Sequence, residues 1–415
     1  MPELTGGFIG LFTKEPPAKY HFGTLLAKLR LRSRTLAGPV QAIIGVVDRI
    51  AEAERALCAR LAGGRGRLTE EVIAAARRHR VHLLVADSLS TEERAEPGTT
   101  ELTRELRQAA ALDLRSTETI AALLNAFAAA GVDALLMKGA GLAHTVYRAP
   151  YLRVRADTDI LIEHDDLARA EQVLMDQGWH RPVERHVALT AAQYHYSRSR
   201  GAAHHIDLHW RVANPLIFAQ ALSFAELRAR AVAVPSLGAH ARTLGIADAL
   251  FLACLHRVAH HDDEIQLLWL WDLHLLIQRT SPEDRDAFIR LAERERMGAV
   301  CCRGVALTAD CFGTPGASDL AEALGQRTGG GEPSARFIRD ARPVTALRSD
   351  LESLRGWQSR IAYLAEHLFP SRAYMRSVYP GCPPVLLPFA YGYRIARGAP
   401  KWFIRRRDPG SGIRD

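Results

Sequence analysis

Apolar residues recur at helical spacing over several stretches of the chain, which predicts a mainly helical protein. The clearest stretches are residues 41–61, 69–79, 101–130, 165–178, 246–261 and 265–280. Thr69, followed by Glu70 and Glu71, has the composition of a helix start, and Gly131 is typical of a helix end. The last two stretches are predicted to form a helical hairpin joined at residues 261–263.

The pattern changes between residues 116 and 236, where short segments predicted to be strands stand between the helical stretches. Residues 132–137, 159–162, 194–199 and 204–212 are predicted strands, and a helix is expected between the first two. We therefore expect an α+β fold, with a small mixed β-sheet core (116–236) flanked by helical regions (1–115 and 237–415). The glycine-rich segment 325–334 is the best candidate for a linker or mobile loop.

Composition limits the class of protein without naming its chemistry. A chain of 415 residues with 48% hydrophobic and 24% charged residues is typical of a globular protein with more than one domain. Six cysteines without a C-x-x-C pair favour a reducing compartment. Neither a secretion signal nor an apolar run long enough to span a membrane is found, so we expect a cytoplasmic protein without membrane insertion. The net charge of +8 suits a polyanionic ligand such as a nucleotide.

The stretch R-V-R-A-D-T-D-I-L-I at residues 153–162 carries the most informative chemistry. Asp157 and Asp159 stand two positions apart at the start of a predicted strand, so both side chains should point to one face. Two carboxylates on one face repel each other unless a cation lies between them. This spacing therefore indicates a site for Mg²⁺ and a phosphate group.

Three further motifs stand before and after this stretch: L-L-M-K-G-A-G-L at 135–142, I-D-L-H-W-R at 206–211, and L-H-x-x-x-H with L-W-L-W-D-L between 255 and 273. Together with the D-x-D strand, this order resembles the nucleotidyltransferase superfamily whose core is shared with polymerase β. More narrowly, it resembles a bacterial family of uncharacterised nucleotidyltransferases. The resemblance covers residues 120–280 and implies a nucleotidyltransferase core for the sheet region.

The resemblance implies a role for each matching residue. Asp157, Asp159 and Asp207 would be catalytic residues and metal ligands, with Asp207 also activating the attacking hydroxyl. Lys138 and Gly139 occupy the place of a glycine-containing turn that approaches the triphosphate, where the superfamily more often has Gly-Ser. Arg153 would contact a phosphate. His209, Arg211, His256 and His260 are candidate substrate contacts.

Some of these residues have alternative interpretations. His256 and His260 stand four positions apart on one helix face, which suits hydrogen bonding within the fold or a shared zinc ion as well as substrate contact. The basic C-terminal run from Arg394 to Arg407, with interleaved aromatic residues, suits RNA, an anionic membrane surface or a solvated tail.

Three functions follow from these observations. The leading hypothesis is an Mg²⁺-dependent nucleotidyltransferase, which moves a nucleoside monophosphate from a nucleoside triphosphate to an acceptor and releases pyrophosphate. The acceptor, whether small molecule, protein or RNA, is not identified by the sequence. The alternatives are a non-catalytic nucleotide-binding or regulatory module that retains the fold, and an RNA-binding protein that acts through its basic tails.

Overall fold

The computed structural model describes residues 52–64, 66–182, 191–198, 204–329, 331–340 and 342–403. Helices precede the sheet region, run between its strands and follow it. The helices before and within the sheet region are α1 (Glu52–Leu61), α2 (Glu70–Arg78), α3 (His82–Asp87), α4 (Thr91–Arg94), α5 (Pro97–Ala129), α6 (Lys138–Thr145), α7 (Leu167–Asp176), α8 (Leu216–Ala219) and α9 (Phe224–Ala229). Those after it are α10 (Ile246–His261), α11 (Leu267–Arg279), α12 (Pro282–Arg294), α13 (Gly298–Phe312), α14 (Ala317–Arg327), α15 (Arg336–Arg339), α16 (Pro343–Ser353), α17 (Trp357–Leu368), α18 (Arg372–Val378) and α19 (Leu387–Phe403).

One mixed sheet of six strands forms the centre of the described fold, in the order β3-β4-β2-β1-β6-β5. Its strands are β1 (Ala134–Leu136), β2 (Thr158–Ile162), β3 (Gln193–Arg198), β4 (His204–His209), β5 (Val232–Ala233) and β6 (Arg242–Thr243). β2 runs parallel to β4 and antiparallel to β1, and β3 runs antiparallel to β4. The α+β prediction is confirmed.

The two faces of the sheet pack against different helices because side chains alternate along each strand. Ile160, Ile206 and Leu208 lie in a hydrophobic cluster with residues of α5 and α7. Leu135 and Leu161 face the other way, into a larger cluster with α10 and α11. We call this second side, towards the α10–α11 hairpin, the front face of the sheet.

Local signals in the sequence set several helix ends. Thr69 caps α2, because its side-chain oxygen accepts a hydrogen bond from the Val72 amide at 3.4 Å. Gly131 has a φ of +71° just after α5, and the next amide, that of Val132, donates to Phe127 O at 2.9 Å. Helix α5 begins at Pro97, four residues before the predicted start, because proline is well suited to the first turn of a helix.

Other predictions on the chain have mixed outcomes. In the segment 325–334, predicted to be a linker or mobile loop, α14 continues to Arg327 and Glu332 is anchored. Both carboxylate oxygens of Glu332 accept amide hydrogens at the start of α13, from Gly298 at 3.3 Å and Ala299 at 2.8 Å. The predicted helix at 41–51 and the turn at 201–202 lie outside the described residues. The division at residues 115 and 236 stays a prediction. Within the described ranges, no helix combines the length and apolar character needed to cross a membrane.

Candidate active site

Asp159 and Asp207 lie side by side on the front face of the sheet. They are register partners on the parallel strands β2 and β4, so their side chains emerge from neighbouring backbones in the same direction. His209 stands two residues after Asp207 and faces the same way. Side-chain ligand atoms of these three residues lie within 4.8 Å of one another, so the strand register assembles a compact group of two carboxylates and an imidazole.

Lys138 places its ammonium group among these side chains. It is the first residue of α6, directly after β1, and its φ of +47° is unusual for a residue with a side chain. Its Nζ donates to Asp159 Oδ1 at 2.6 Å and lies 3.4 Å from His209 Nε2. The ammonium therefore offsets part of the negative charge of the cluster.

The carboxyl groups of the D-x-D motif have very different proton affinities. Burial, together with the negative charges of Asp159 and Asp207, raises the pKa of Asp157 to about 6. Burial also opposes ionisation of Asp159, but Lys138 and His209 outweigh it and hold the pKa of that carboxyl well below its usual range. Asp157 precedes β2 and so lies close enough to feel both other acids, which is the electrostatic condition expected of a cation site.

Two residues that sequence reasoning did not single out hold Asp207 in place. Strand β3 pairs with β4 so that His195 lies opposite Asp207 and Gln193 lies opposite His209. His195 Nδ1 is 2.7 Å from Asp207 Oδ1, and Gln193 Nε2 donates to Asp207 Oδ2 at 2.6 Å. The alternating pattern of β3 was the available signal, since Gln193 and His195 share one face of the strand and the aromatic residues Tyr194 and Tyr196 share the other.

Arg153 forms a buried ion pair on the α10–α11 side of this cluster. Its Nε and Nη2 donate to the two carboxylate oxygens of Asp272 on α11, at 2.8 and 2.7 Å, and Tyr147 Oη donates to the same carboxylate at 2.6 Å. Burial opposes the charge of Arg153, but Asp272 more than compensates and raises its pKa. Its Nη1 donates to the carbonyl of Val154, so each guanidinium nitrogen has a protein partner.

Arg80 is a cation that the sequence analysis missed. It lies between α2 and α3 with a φ of +58°, and its side chain feels the charges of Asp157, Asp272 and Arg153. Burial and the neighbouring Arg153 lower its pKa. Across the described parts of the chain, no side chain forms a hydrogen bond or ion pair with Arg80. A guanidinium without a partner beside the acid cluster is well placed for an anionic ligand.

The K-G-A-G segment has one glycine that packing requires. A methyl group added at Gly141 would lie 2.2 Å from Thr243 Oγ1, which donates to Leu136 O at 2.8 Å. At Gly139 the nearest atom would be Arg153 Nη1 at 3.5 Å, an ordinary contact. Gly139 therefore lies beside Arg153 without a steric need for glycine, whereas Gly141 allows α6 to pack closely on β6.

Three histidines of α10 form a cluster that also faces the site. His261 is stacked on Trp269 with ring centroids 3.9 Å apart, and its Nε2 lies 3.2 Å from His256 Nε2. Burial and the charge of Lys138 lower the pKa of His256, His260 and His261. These imidazoles are therefore uncharged at neutral pH, and they border the charged cluster without adding to its positive charge.

A cavity of about 630 Å³, part of it open to solvent, begins at this border. Most of its lining is apolar and comes from α6, α10 and α11. Its polar end is formed by Lys138, Arg153, His256, Trp269 and Asp272. The cavity therefore lies next to Lys138, whose ammonium contacts Asp159, and its apolar part offers space beside the acid cluster.

The structure brings Asp159, Asp207 and Lys138 together, whereas the Asp157 carboxylate is not part of the group of ligand atoms within 4.8 Å and is linked to it by the effect of both acids on its pKa. Arg211 follows β4, and its Nη1 donates to the carbonyl of Ala191 at 3.3 Å. The catalytic, metal-binding and substrate-binding roles of these residues, and those of Gly139, Arg153, His209, His256 and His260, stay predictions.

The hydrogen bonds around His209 fit a bound cation. Its side chain is fully buried, with Nδ1 3.2 Å from the carbonyl of Arg211 and Nε2 2.9 Å from Asp159 Oδ1. Nδ1 thus faces an acceptor, whereas Nε2 lies near both the Asp159 carboxylate and the Lys138 ammonium, which is 3.4 Å away. Burial and Lys138 lower the pKa of the ring. A bound cation would take the place of this ammonium at Nε2, with Nδ1–H donating to the carbonyl. Carboxylates suit Mg²⁺ and Mn²⁺ alike, whereas imidazole suits Mn²⁺ better.

Comparison with known proteins agrees with this geometry. None of the curated proteins compared with the chain matches it. A family model described as an uncharacterised nucleotidyltransferase matches residues 67–313, which include α2, the whole sheet and the α10–α11 hairpin. The match covers more than half of the 415 residues and contains every residue of the acid cluster. The chain therefore belongs to the uncharacterised nucleotidyltransferase family.

Proposed function

We propose that the protein transfers a nucleoside monophosphate from a nucleoside triphosphate to an acceptor hydroxyl or phosphate, with release of pyrophosphate. The site would be the acid cluster of Asp157, Asp159 and Asp207, in the manner of polymerase-β-like enzymes. The observation that carries this proposal is the register pairing of Asp159 with Asp207 on parallel strands, with Asp157 close enough to be affected by both charges. Family membership supports the same reaction class.

Asp157, Asp159 and Asp207 would hold a divalent cation such as Mg²⁺, with His209 as a further ligand for a cation that accepts imidazole. When bound, the cation would neutralise phosphate charge and favour ionisation of the attacking group. Lys138 would release Asp159 and turn to the triphosphate. Arg80, which has no side-chain partner among the residues that the structure describes, would bind the outer phosphates.

The proposed transfer is a single displacement at the α-phosphorus. The acceptor oxygen attacks the α-phosphorus, and the bond from that phosphorus to the oxygen bridging the α- and β-phosphates breaks. The electron pair leaves with pyrophosphate, and Asp207 takes the acceptor proton. His195 and Gln193 hold both oxygens of Asp207 at 2.7 and 2.6 Å, so they act as positioning residues.

The proposal is tested with nucleoside triphosphates labelled at the α-phosphate, Mg²⁺ or Mn²⁺, and separate small-molecule, protein and RNA fractions of a cell extract. We expect label in one acceptor fraction together with an equal amount of pyrophosphate. The double variant Asp159→Asn with Asp207→Asn should lose at least about a thousandfold in rate. Asp176→Asn, an exposed acid on α7, is the matched control and should retain the rate. Equal activity in the double variant would overturn the assignment.

One observation favours a second candidate, a non-catalytic nucleotide-binding module. The ammonium of Lys138 forms an ion pair with Asp159 in the place where a cation would sit. If this pair is permanent, the site binds nucleotide without a metal ion. Calorimetry separates the two functions, since a catalytic site requires nucleotide binding that depends on Mg²⁺ or Mn²⁺, whereas the module binds equally well in a chelator.

A further inference from the structure

The C-terminal part of the chain has a one-sided charge. Residues 367–407 contain eight lysines and arginines and no aspartate or glutamate. Of the described basic residues in this segment, Arg372, Arg376 and Arg397 are exposed. Along the chain, this segment is therefore uniformly positive.

Large apolar side chains are exposed on the same segment. Val385 is 83% exposed and Phe389 is 75% exposed, and Leu386 and Tyr393 are about half exposed. Phe389, Tyr393 and Arg397 follow each other at intervals of four residues, so they lie along one face of α19. We call Val385, Leu386, Phe389, Tyr393 and Arg397 the C-terminal surface.

Internal packing holds this surface outward. The opposite side of α19 packs through Leu387 against Tyr374 and Met375 of α18, in a small cluster separate from the two large ones. Tyr391 Oη donates to the carbonyl of Pro370 at 2.6 Å, which fixes the rotation of the helix. Because the inward side is already satisfied, the outward apolar residues are available to a partner.

We propose that the C-terminal surface docks on a membrane leaflet rich in anionic phospholipid. An outward row of apolar and aromatic side chains with adjacent arginines is the composition of a helix that lies in a membrane interface. The net positive charge of the segment selects anionic headgroups. RNA is a poorer fit, because the most exposed of the large apolar side chains, Val385, is aliphatic and gives neither base stacking nor a charge to the phosphates.

The test is flotation of the full chain with vesicles of pure phosphatidylcholine and vesicles of an equal phosphatidylcholine–phosphatidylglycerol mixture. We expect binding to the anionic vesicles and at least about tenfold weaker binding to the neutral ones. Val385→Ser with Phe389→Ser should weaken binding to anionic vesicles by about tenfold or more. Leu112→Ser with Leu114→Ser is the matched control, because it removes two exposed leucines of α5, and it should bind like the wild type.

Each other outcome overturns the proposal. Equal binding to both vesicle types removes the role of charge, and no binding removes the membrane. Binding of a single-stranded RNA that the same serine substitutions abolish would assign the surface to RNA. A dimer in solution that these substitutions dissociate would assign it to a second copy of the chain.

Discussion

Asp159 and Asp207 are partners across parallel strands, and Lys138 Nζ lies 2.6 Å from the first of them. Two acids placed side by side and largely enclosed are costly to maintain unless a cation compensates them. Here one cation is supplied by the chain itself. Substitution of Lys138 should therefore show whether a metal ion binds at the position of its ammonium group.

Replacing Lys138 by methionine removes the charge and keeps the length of the side chain. Without added metal, we expect the variant to lose about 3 kcal/mol of unfolding free energy, because Asp159 keeps its burial and loses its main cationic partner. Added Mg²⁺ or Mn²⁺ should raise the melting temperature of Lys138→Met more than that of the wild type, since the ion substitutes for the ammonium. Thermal unfolding with and without metal checks this, and equal increments in both proteins would contradict it.

Arg80 should bind phosphate. Arg80→Met should weaken nucleoside triphosphate binding by about ten- to a hundredfold, the usual effect of losing a charge-assisted hydrogen bond. Arg78→Met is the matched control: Arg78 ends helix α2, is 58% exposed and forms its ion pair with Glu54. Titration calorimetry measures both variants, and equal losses would mean that Arg80 acts only through the general positive charge of the region.

The Arg153–Asp272 pair should behave as a buried ion pair. Arg153→Met leaves Asp272, 3% exposed, without its bidentate partner and should cost about 3–5 kcal/mol of unfolding free energy. Adding Asp272→Leu should restore part of this loss, since no isolated charge then remains. Urea unfolding of the two single variants and the double variant measures the coupling. Strictly additive losses would show that the pair contributes little, and would leave Arg153 free to serve the substrate.

The free energy of unfolding should fall in mild acid because the buried ring of His274 resists protonation. Its ring is buried against Trp271 and Phe312, and burial lowers its pKa to about 4. The unfolded value is about 6.5, so between these pH values the unfolded chain binds more protons and stability decreases as the pH falls. The contribution is at most about 3 kcal/mol. Urea unfolding as a function of pH should show a shallower decline for His274→Gln, and an unchanged slope would contradict the assignment.

The sequence predicted the parts of the fold that depend on local pattern. Thr69 and Gly131 mark helix ends through their own hydrogen-bonding and backbone preferences, and the strands β1, β2, β3 and β4 overlap the predicted strands. The two-residue strands β5 and β6 carry no periodic signal and form because β1 offers an open edge. Their pairing is therefore a property of the tertiary fold.

The candidate site was also only partly predictable from the sequence. The spacing of Asp157 and Asp159 could be read directly, and the pairing of Asp159 with Asp207 depends on the order of strands in the sheet. The partner of Arg153 lies on a distant helix, and Arg80 comes from the helices before the sheet, with no local motif to mark it. Contacts between remote elements decide which charged side chains are paired and which are available.

The most direct test of the central claim is a structure determined with Mg²⁺ or Mn²⁺ and a non-hydrolysable nucleoside triphosphate. We expect a metal ion bound by both Asp159 and Asp207, with Lys138 Nζ moved from its 2.6 Å contact with Asp159 towards a phosphate. An intact Lys138–Asp159 pair, with no metal ion at these carboxylates, would contradict a metal-dependent site at Asp159 and Asp207.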